Sequence, residues 1–269
     1  MSKTTKTTEK GTLKPFSKTL GGDELFSYVQ LEEMHRLLKM AVDEKSMALI
    51  TGQAGVGKTT ATRSFMDQLP TNKYAIIYLG QDQEAVSVWR RLATFLSLKP
   101  SFSRANTRLM ISQYLNDNLL EQGKDVILVV DEAHLLDGMT LEDIRLLTNT
   151  DFDRTSAVTV ILLGQLQLRT RLKSAGFEAI NQRLRYRYSL EGFSEEETVE
   201  YIKKRLQACG LSADIFAAEA LRQIFLASQG IPREINNYCV AALLKAESLG
   251  VERIDAKLIK QVLAQRELN

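Results

Sequence analysis

The stretch "ITGQAGVGKTTATRSF", residues 50–65, sets three glycines and a lysine between an apolar run and a segment with helical spacing. Within it, Gly52, Gln53, Ala54, Gly55, Val56, Gly57, Lys58 and Thr59 fit the pattern G-x-x-x-x-G-K-[S/T]. The pattern follows an expected strand and opens an expected helix, which is the context that gives it meaning. Glycines free the backbone N–H groups to point inward, and the positive end of the following helix adds to them, so the turn is built to seat a phosphate. Lys58 is expected to reach the β- and γ-phosphate oxygens of ATP and Thr59 to hold Mg2+, with Thr60 beside them. A flexible turn with a chance lysine does not explain agreement at eight positions and both flanking elements.

The rest of the first 190 residues supplies a frame for such a loop. Short runs rich in Val, Ile and Leu fall at 47–51 (MALIT), 74–79 (YAIIYL), 126–130 (VILVV) and 157–163 (AVTVILL), with a weaker one at 185–190 (RYRYSL). Helical periodicity fills the gaps. Runs apolar on both faces suit a parallel sheet covered by helices on each side. After residue 191 strands give way to helices. Ser194 and Glu197 form a capping box, and Gly210 closes that helix. Further helices are expected at 214–229, from Pro232 to Gly250, and from Asp255. The expected organisation is a basic N-terminal tail over 1–20, an α/β nucleotide-binding domain over 21–190 and a small helical lid over 191–269.

Chemistry follows at the strand ends. VILVV runs into Asp131-Glu132-Ala133-His134, at the carboxyl edge where open α/β sheets bind ligands. Asp131 is expected to orient Mg2+ through water, and Glu132 to act as general base on the attacking water. The DEAH tetrapeptide also occurs in two-motor helicases, but residues 191–269 leave no room for a second motor domain. His134 is read as capping the strand end or positioning a neighbour. The fourth run ends at Gly164-Gln165, which sets the Gln165 amide beside the phosphate loop as a candidate holder of the nucleophilic water. In "NQRLRYRY", Arg183 stands at the helix-to-strand turn as a candidate finger into a neighbouring copy's site, whereas Arg187 reads as part of a solvated edge. Arg233, in Gly-Ile-Pro-Arg, sits on a helix's first turn, an unfavourable place for a cation unless a triphosphate approaches. Cys209 and Cys239 are the only cysteines, lack metal spacing and read as buried small apolar residues.

Phosphate loop, DE strand end, polar residue after strand four, arginine before strand five and G-x-P-R in a helical lid together resemble an AAA+ ATPase. More narrowly, "LFSYVQLEEMHRLL", "VVDEAHLL", "ILLGQLQL", "NQRLRYRYSLEGFSEEETVEYIKKRL" and "SQGIPREINNYC" are similar to the ExeA/GspA-type ATPases and to the transposition regulators of the same clade, TniB, TnsC and MuB. The resemblance implies Mg2+-dependent ATP hydrolysis and self-assembly into a ring or helical filament. It offers two roles. Secretion-type members couple ATP to secretin assembly through a peptidoglycan-binding extension and a transmembrane helix, neither of which is found before Asn269. The expectation taken is therefore a cytoplasmic, free-standing regulator that assembles on double-stranded DNA and recruits a transposase. No apolar run approaches the ~18 residues of a membrane span.

For DNA contact the candidates are Lys99, Ser103, Arg104 and Arg108, whose cations and hydroxyl suit phosphates. The tail is the rival, with Lys3, Lys6, Lys10, Lys14 and Lys18 against Glu9 alone. Whole-chain charge, +2 at neutral pH, does not decide between partners.

Overall fold

The computed structural model describes residues 16, 26–80, 88–115, 117, 123–148 and 158–267. Apart from Phe16, the N-terminal tail lies outside the described residues. The described chain forms two compact units, one running from Val29 to Leu190 and the other joining residues 26–28 to those from Glu191 onward.

In the α/β unit, the described elements are α1 (Val29–Asp43), β1 (Met47–Thr51), α2 (Lys58–Met66), β2 (Tyr74–Leu79), α3 (Val88–Phe95), α4 (Arg104–Tyr114), β3 (Asp125–Val130), α5 (Gly138–Leu147), β4 (Val158–Gly164), α6 (Leu166–Arg171), α7 (Glu178–Arg183) and β5 (Leu184–Ser189). The sheet is parallel throughout, in the order β2-β3-β4-β1-β5. All five strands therefore end on one edge. Thr51 pairs with Gly164, Val130 with Leu162 and Leu79 with Val130. The residues that follow, Gly52, Gly80, Asp131 and Gln165, leave the sheet along that edge.

For the three inner strands, β1, β3 and β4, the reason these runs are strands is their double-sided burial. Every residue of β1 and β4 is buried. Strand alternation divides the side chains. Met47, Leu49, Ile77, Leu79, Val126, Leu128, Val160 and Leu162 join one core with Trp89, Leu92, Ile111, Leu141 and Ile144 of the helices. Ala48, Ile50, Ile127, Val129, Ile161 and Leu163, one residue out of step, are buried on the other face. The buried residues Leu31, Met34, Leu38, Ala41 and Val42 of α1 recur at helical spacing.

The helical unit contains α8 (Glu195–Ala208), α9 (Ala218–Ser228), α10 (Pro232–Leu249) and α11 (Ala256–Glu267). Ser194 and Glu197 complete the capping box at α8. Pro232 starts α10, and Gly250, at φ 63°, ends it. Helix α9 begins four residues later than its periodicity suggests. Phe216 there bridges to Ile254, and Ala217 N–H donates to the Ile254 carbonyl at 2.9 Å, so a tertiary pairing takes the place of the first turn. Residues 26–28 belong with these helices because Phe26 packs edge-on against Phe193 and Tyr201, with ring centroids 5.4 and 5.8 Å apart. Cys239 is buried as expected, but Cys209 is only half-buried, because it lies past the end of α8. Among the described residues no helix is long and apolar enough to cross a membrane.

Candidate nucleotide site

The phosphate-type loop leaves β1 at Gly52 and enters α2 at Lys58. Gly55 and Gly57 take φ of 85° and 104°, conformations that side-chain-bearing residues rarely adopt. At Gly52 the constraint is space, since a Cβ there would lie 2.4 Å from the Leu190 carbonyl oxygen. Gln53, Ala54 and Thr60 are exposed, whereas Val56 is buried and anchors the loop from beneath. Lys58 is only 6% exposed, and its ammonium donates to the carbonyls of Gly52 and Gln53 at 3.0 Å each. The loop thus holds its own cation in place, with carbonyl dipoles offsetting the cost of burial.

Asp131 is brought to this loop by β3. Its Oδ2 accepts from the Thr59 hydroxyl at 2.7 Å and from the Tyr78 hydroxyl at 2.8 Å, and its Oδ1 accepts from the Glu132 backbone N–H at 2.8 Å. The two residues expected on the metal, Thr59 and Asp131, are therefore in direct contact across 72 positions of sequence. Glu132 adopts φ 49° and ψ 35°, a left-handed conformation costly for a side-chain-bearing residue at about 1–3 kcal/mol and one that gathers at functional sites. Its carboxylate lies 3.3 Å from Nδ1 of the buried His134. His134 begins to be explained by this: it stands against the expected base rather than at the reacting centre. Arg171 holds the turn Ala133–Leu135 from α6, donating to the carbonyls of His134 at 3.4 Å and Leu136 at 2.6 Å.

Gln165 is half-buried at the N-terminal boundary of α6, where its side chain makes no capping bond to the helix. Arg183 is the last residue of α7, immediately before the edge strand β5, and is half-buried. Arg185 pairs with Glu44 at 3.1 Å, while Arg187 donates to the backbone and side chain of Asn181. In the helical unit, Arg233 is exposed on the first turn of α10.

Three of the four residues read as contacting DNA make contacts within the unit. Ser103 caps α4, accepting from the Asn106 N–H, and Arg104 and Arg108 lie within that helix. Arg104 donates to Asp143 Oδ2 at 2.6 Å and to the Thr140 hydroxyl at 3.2 Å, and Arg108 lies 3.7 Å from Asp143 Oδ1. Trp89 donates to the same carboxylate at 2.6 Å. Asp143 gathers these groups from α3 and α4 onto α5. Lys99 remains exposed.

Sequence reading passed over Tyr78, Gly80 and Arg171. A signal for Tyr78 existed: it is a tyrosine with a polar tip one residue short of the carboxyl end of a strand, on the edge where the ligand is expected. Partial burial, then the bond to Asp131, pushes its phenol above the ordinary tyrosine range.

Thr59 and Asp131 offer hard oxygen donors, and among the described residues no cluster of three or more His, Cys, Asp or Glu side chains could cage a metal. That donor set fits Mg2+, which keeps several waters and shares phosphate oxygens rather than filling a protein cage.

The fold is that of the P-loop AAA+ class, and residues 41–172 match the family described as an AAA domain. Among known proteins, the chain is similar to General secretion pathway protein A of Aeromonas hydrophila, 34% identical over 216 residues that make up 79% of this chain and 39% of that protein. The chain thus spans well under half of that relative's length. In fold it is similar to Aeropyrum pernix ORC2, with TM-score 0.69 at 15% identity over 93% of this chain and 71% of that one. It is likewise similar to Cdc6p of Pyrobaculum aerophilum, with TM-score 0.68 at 15% identity over 89% and 67%.

These findings correct the role expected from sequence. The transposition reading, with its DNA and transposase partners, is overturned by the similarity to a general secretion pathway protein over most of the chain. That reading leaned on where the sequence ends. A chain matching 39% of its relative says nothing through its end about what the whole protein does.

Proposed function

We propose that this chain is a secretion-type AAA+ ATPase, which uses ATP turnover to assist assembly of a secretion complex or another envelope protein complex. The observation that carries the chemistry is the Thr59–Asp131 contact at 2.7 Å, which joins the phosphate loop to the acid of β3. The similarity to General secretion pathway protein A supports the role.

In this reading the backbone of residues 52–60 seats the triphosphate of ATP, and Lys58 carries its charge to the terminal phosphates. Thr59 and Asp131 would hold Mg2+, which would screen the phosphate charge. Glu132 takes the proton of the attacking water, and its left-handed backbone sets the direction of the carboxylate, which lies beside His134. Gln165 orients that water. Arg183, carried at the end of α7, serves the site of a neighbouring copy, so that hydrolysis belongs to an assembly rather than to a single chain.

The role is tested in the cell that encodes the chain, by replacing the gene with a Glu132→Gln version. The proposal expects the exported proteins of the secretion apparatus to accumulate inside, with the assembled envelope complex reduced, while the variant is present at wild-type level. Normal export in a strain lacking the gene would refute the role and leave the ATPase chemistry standing.

A further inference from the structure

We propose that Tyr78 is a positioning residue for the metal side of this site: its phenol, laid over Gly80, fixes the Asp131 carboxylate for Mg2+ bound with the nucleotide. The inference rests on the nucleotide reading above.

Three features of the structure carry it. The first is occupancy of the carboxylate. An ionised aspartate offers about four lone-pair sites. Thr59 and Tyr78 fill both sites of Oδ2, and the Glu132 N–H takes one of Oδ1. What remains is one acceptor site, on Oδ1, for a donor from outside the chain such as a metal-bound water. Without the phenol, Oδ2 keeps a single donor and the carboxylate gains freedom to turn.

The second feature is Gly80. A Cβ at that position would lie 2.7 Å from Cε1 of Tyr78 and 3.4 Å from its hydroxyl oxygen. The ring therefore lies along the strand end in space that a side chain at residue 80 would claim. Arg91 of α3 donates to the Gly80 carbonyl and so fastens the strand end. Asp131 N–H donates to the Leu79 carbonyl at 2.9 Å, which keeps β2 and β3 in register up to the point where the phenol crosses.

The third feature is exposure. Tyr78 is 47% exposed, unlike Tyr74 of the same strand at 6%. An aromatic ring placed for packing would be covered. Here the ring contributes little to the core, and its bond to Asp131 is what its position secures.

The test uses the full chain, Mn2+ as a paramagnetic probe and a non-hydrolysable ATP analogue. Mn2+ affinity is read by electron paramagnetic resonance, and half-activating Mg2+ is read in parallel from hydrolysis. Removing a group that orients a metal ligand typically weakens metal binding roughly 10- to 100-fold, and partial exposure puts Tyr78→Phe at about three- to tenfold. Gly80→Ala, by displacing the ring, should weaken Mn2+ in the same direction. The double variant should be no weaker than the worse single one, because both changes act through one hydrogen bond. Wild-type Mn2+ affinity in both single variants would overturn the inference while leaving the nucleotide site intact. Tighter binding in Tyr78→Phe would also overturn it, making the phenol a competitor of the metal. If the unaltered protein binds neither Mn2+ nor the analogue, the nucleotide reading itself falls.

Discussion

Replacing Gly52 by alanine probes how the phosphate loop is mounted on the sheet. The new Cβ would lie 2.4 Å from the Leu190 carbonyl oxygen and 3.0 Å from Cγ1 of Val56. Both the glycine and Leu190 are backbone at strand ends, and Leu190 N–H is tied to the Thr51 carbonyl at 2.8 Å, so neither can swing aside as a side chain tip could. Relief requires the loop to lift by about 1 Å, and overpacking of this kind costs about 1–3 kcal/mol. For a unit of this size each kcal/mol shifts the melting temperature by about 2–4 °C. A loss of roughly 2–12 °C is therefore expected by thermal denaturation. Misplacing a reacting group by about 1 Å can cost about a hundredfold in rate, so ATP hydrolysis should fall about ten- to a hundredfold. Gly176→Ala is the control. It has positive φ, 92°, but nothing within 4 Å of its Cβ, so it should lose some stability without affecting hydrolysis. Wild-type melting and turnover in Gly52→Ala would show that the loop is not held rigidly against β5, and the reasoning would fail.

Other outcomes follow from the same contacts. If Arg183 serves a neighbouring copy, specific activity should rise with protein concentration, and mixing Arg183→Ala with Lys58→Ala should restore part of the hydrolysis that each lacks; no recovery at any ratio, with both variants co-assembling, argues against that assignment. Ser194→Ala removes the capping box of α8 and should destabilise the helical unit by about 0.5–2 kcal/mol in denaturant titrations, with Ser194→Asp recovering most of it. Asp137 caps α5 by accepting from the Thr140 N–H at 2.6 Å, and the Thr140 hydroxyl and then that N–H hold its carboxyl below the ordinary value. Its contribution is present above the unfolded carboxylate range and is lost as pH falls through the lowered folded value, so Asp137→Asn should flatten that part of the acid limb of the stability curve.

The sheet was open to sequence reading because its inner strands β1, β3 and β4 are buried on both faces, which leaves runs such as MALIT and VILVV with no polar break. Their bounds fall within a residue of expectation. The phosphate loop was equally open, since glycine, lysine and threonine are fixed there by backbone geometry and charge. What stayed hidden depends on partners distant in sequence. Nothing local ties Arg104 to Asp143, 39 residues away, so its cation read as available to phosphate. Tyr78 reaches Asp131 across 53 residues, and the alternation of β2 alone does not reveal which tyrosine is covered. The late start of α9 has the same origin, in the pairing of Phe216 with Ile254.

The central claim is that Thr59, Asp131 and Glu132 form a hydrolytic site rather than a nucleotide-holding one. It is tested most directly by measuring ATP binding and steady-state phosphate release for wild type and Glu132→Gln at saturating Mg2+. The account predicts that the variant binds ATP about as tightly as wild type and releases phosphate at least about a hundredfold more slowly, as expected for loss of a general base. Equal turnover by the two proteins would contradict it and remove Glu132 from the reaction.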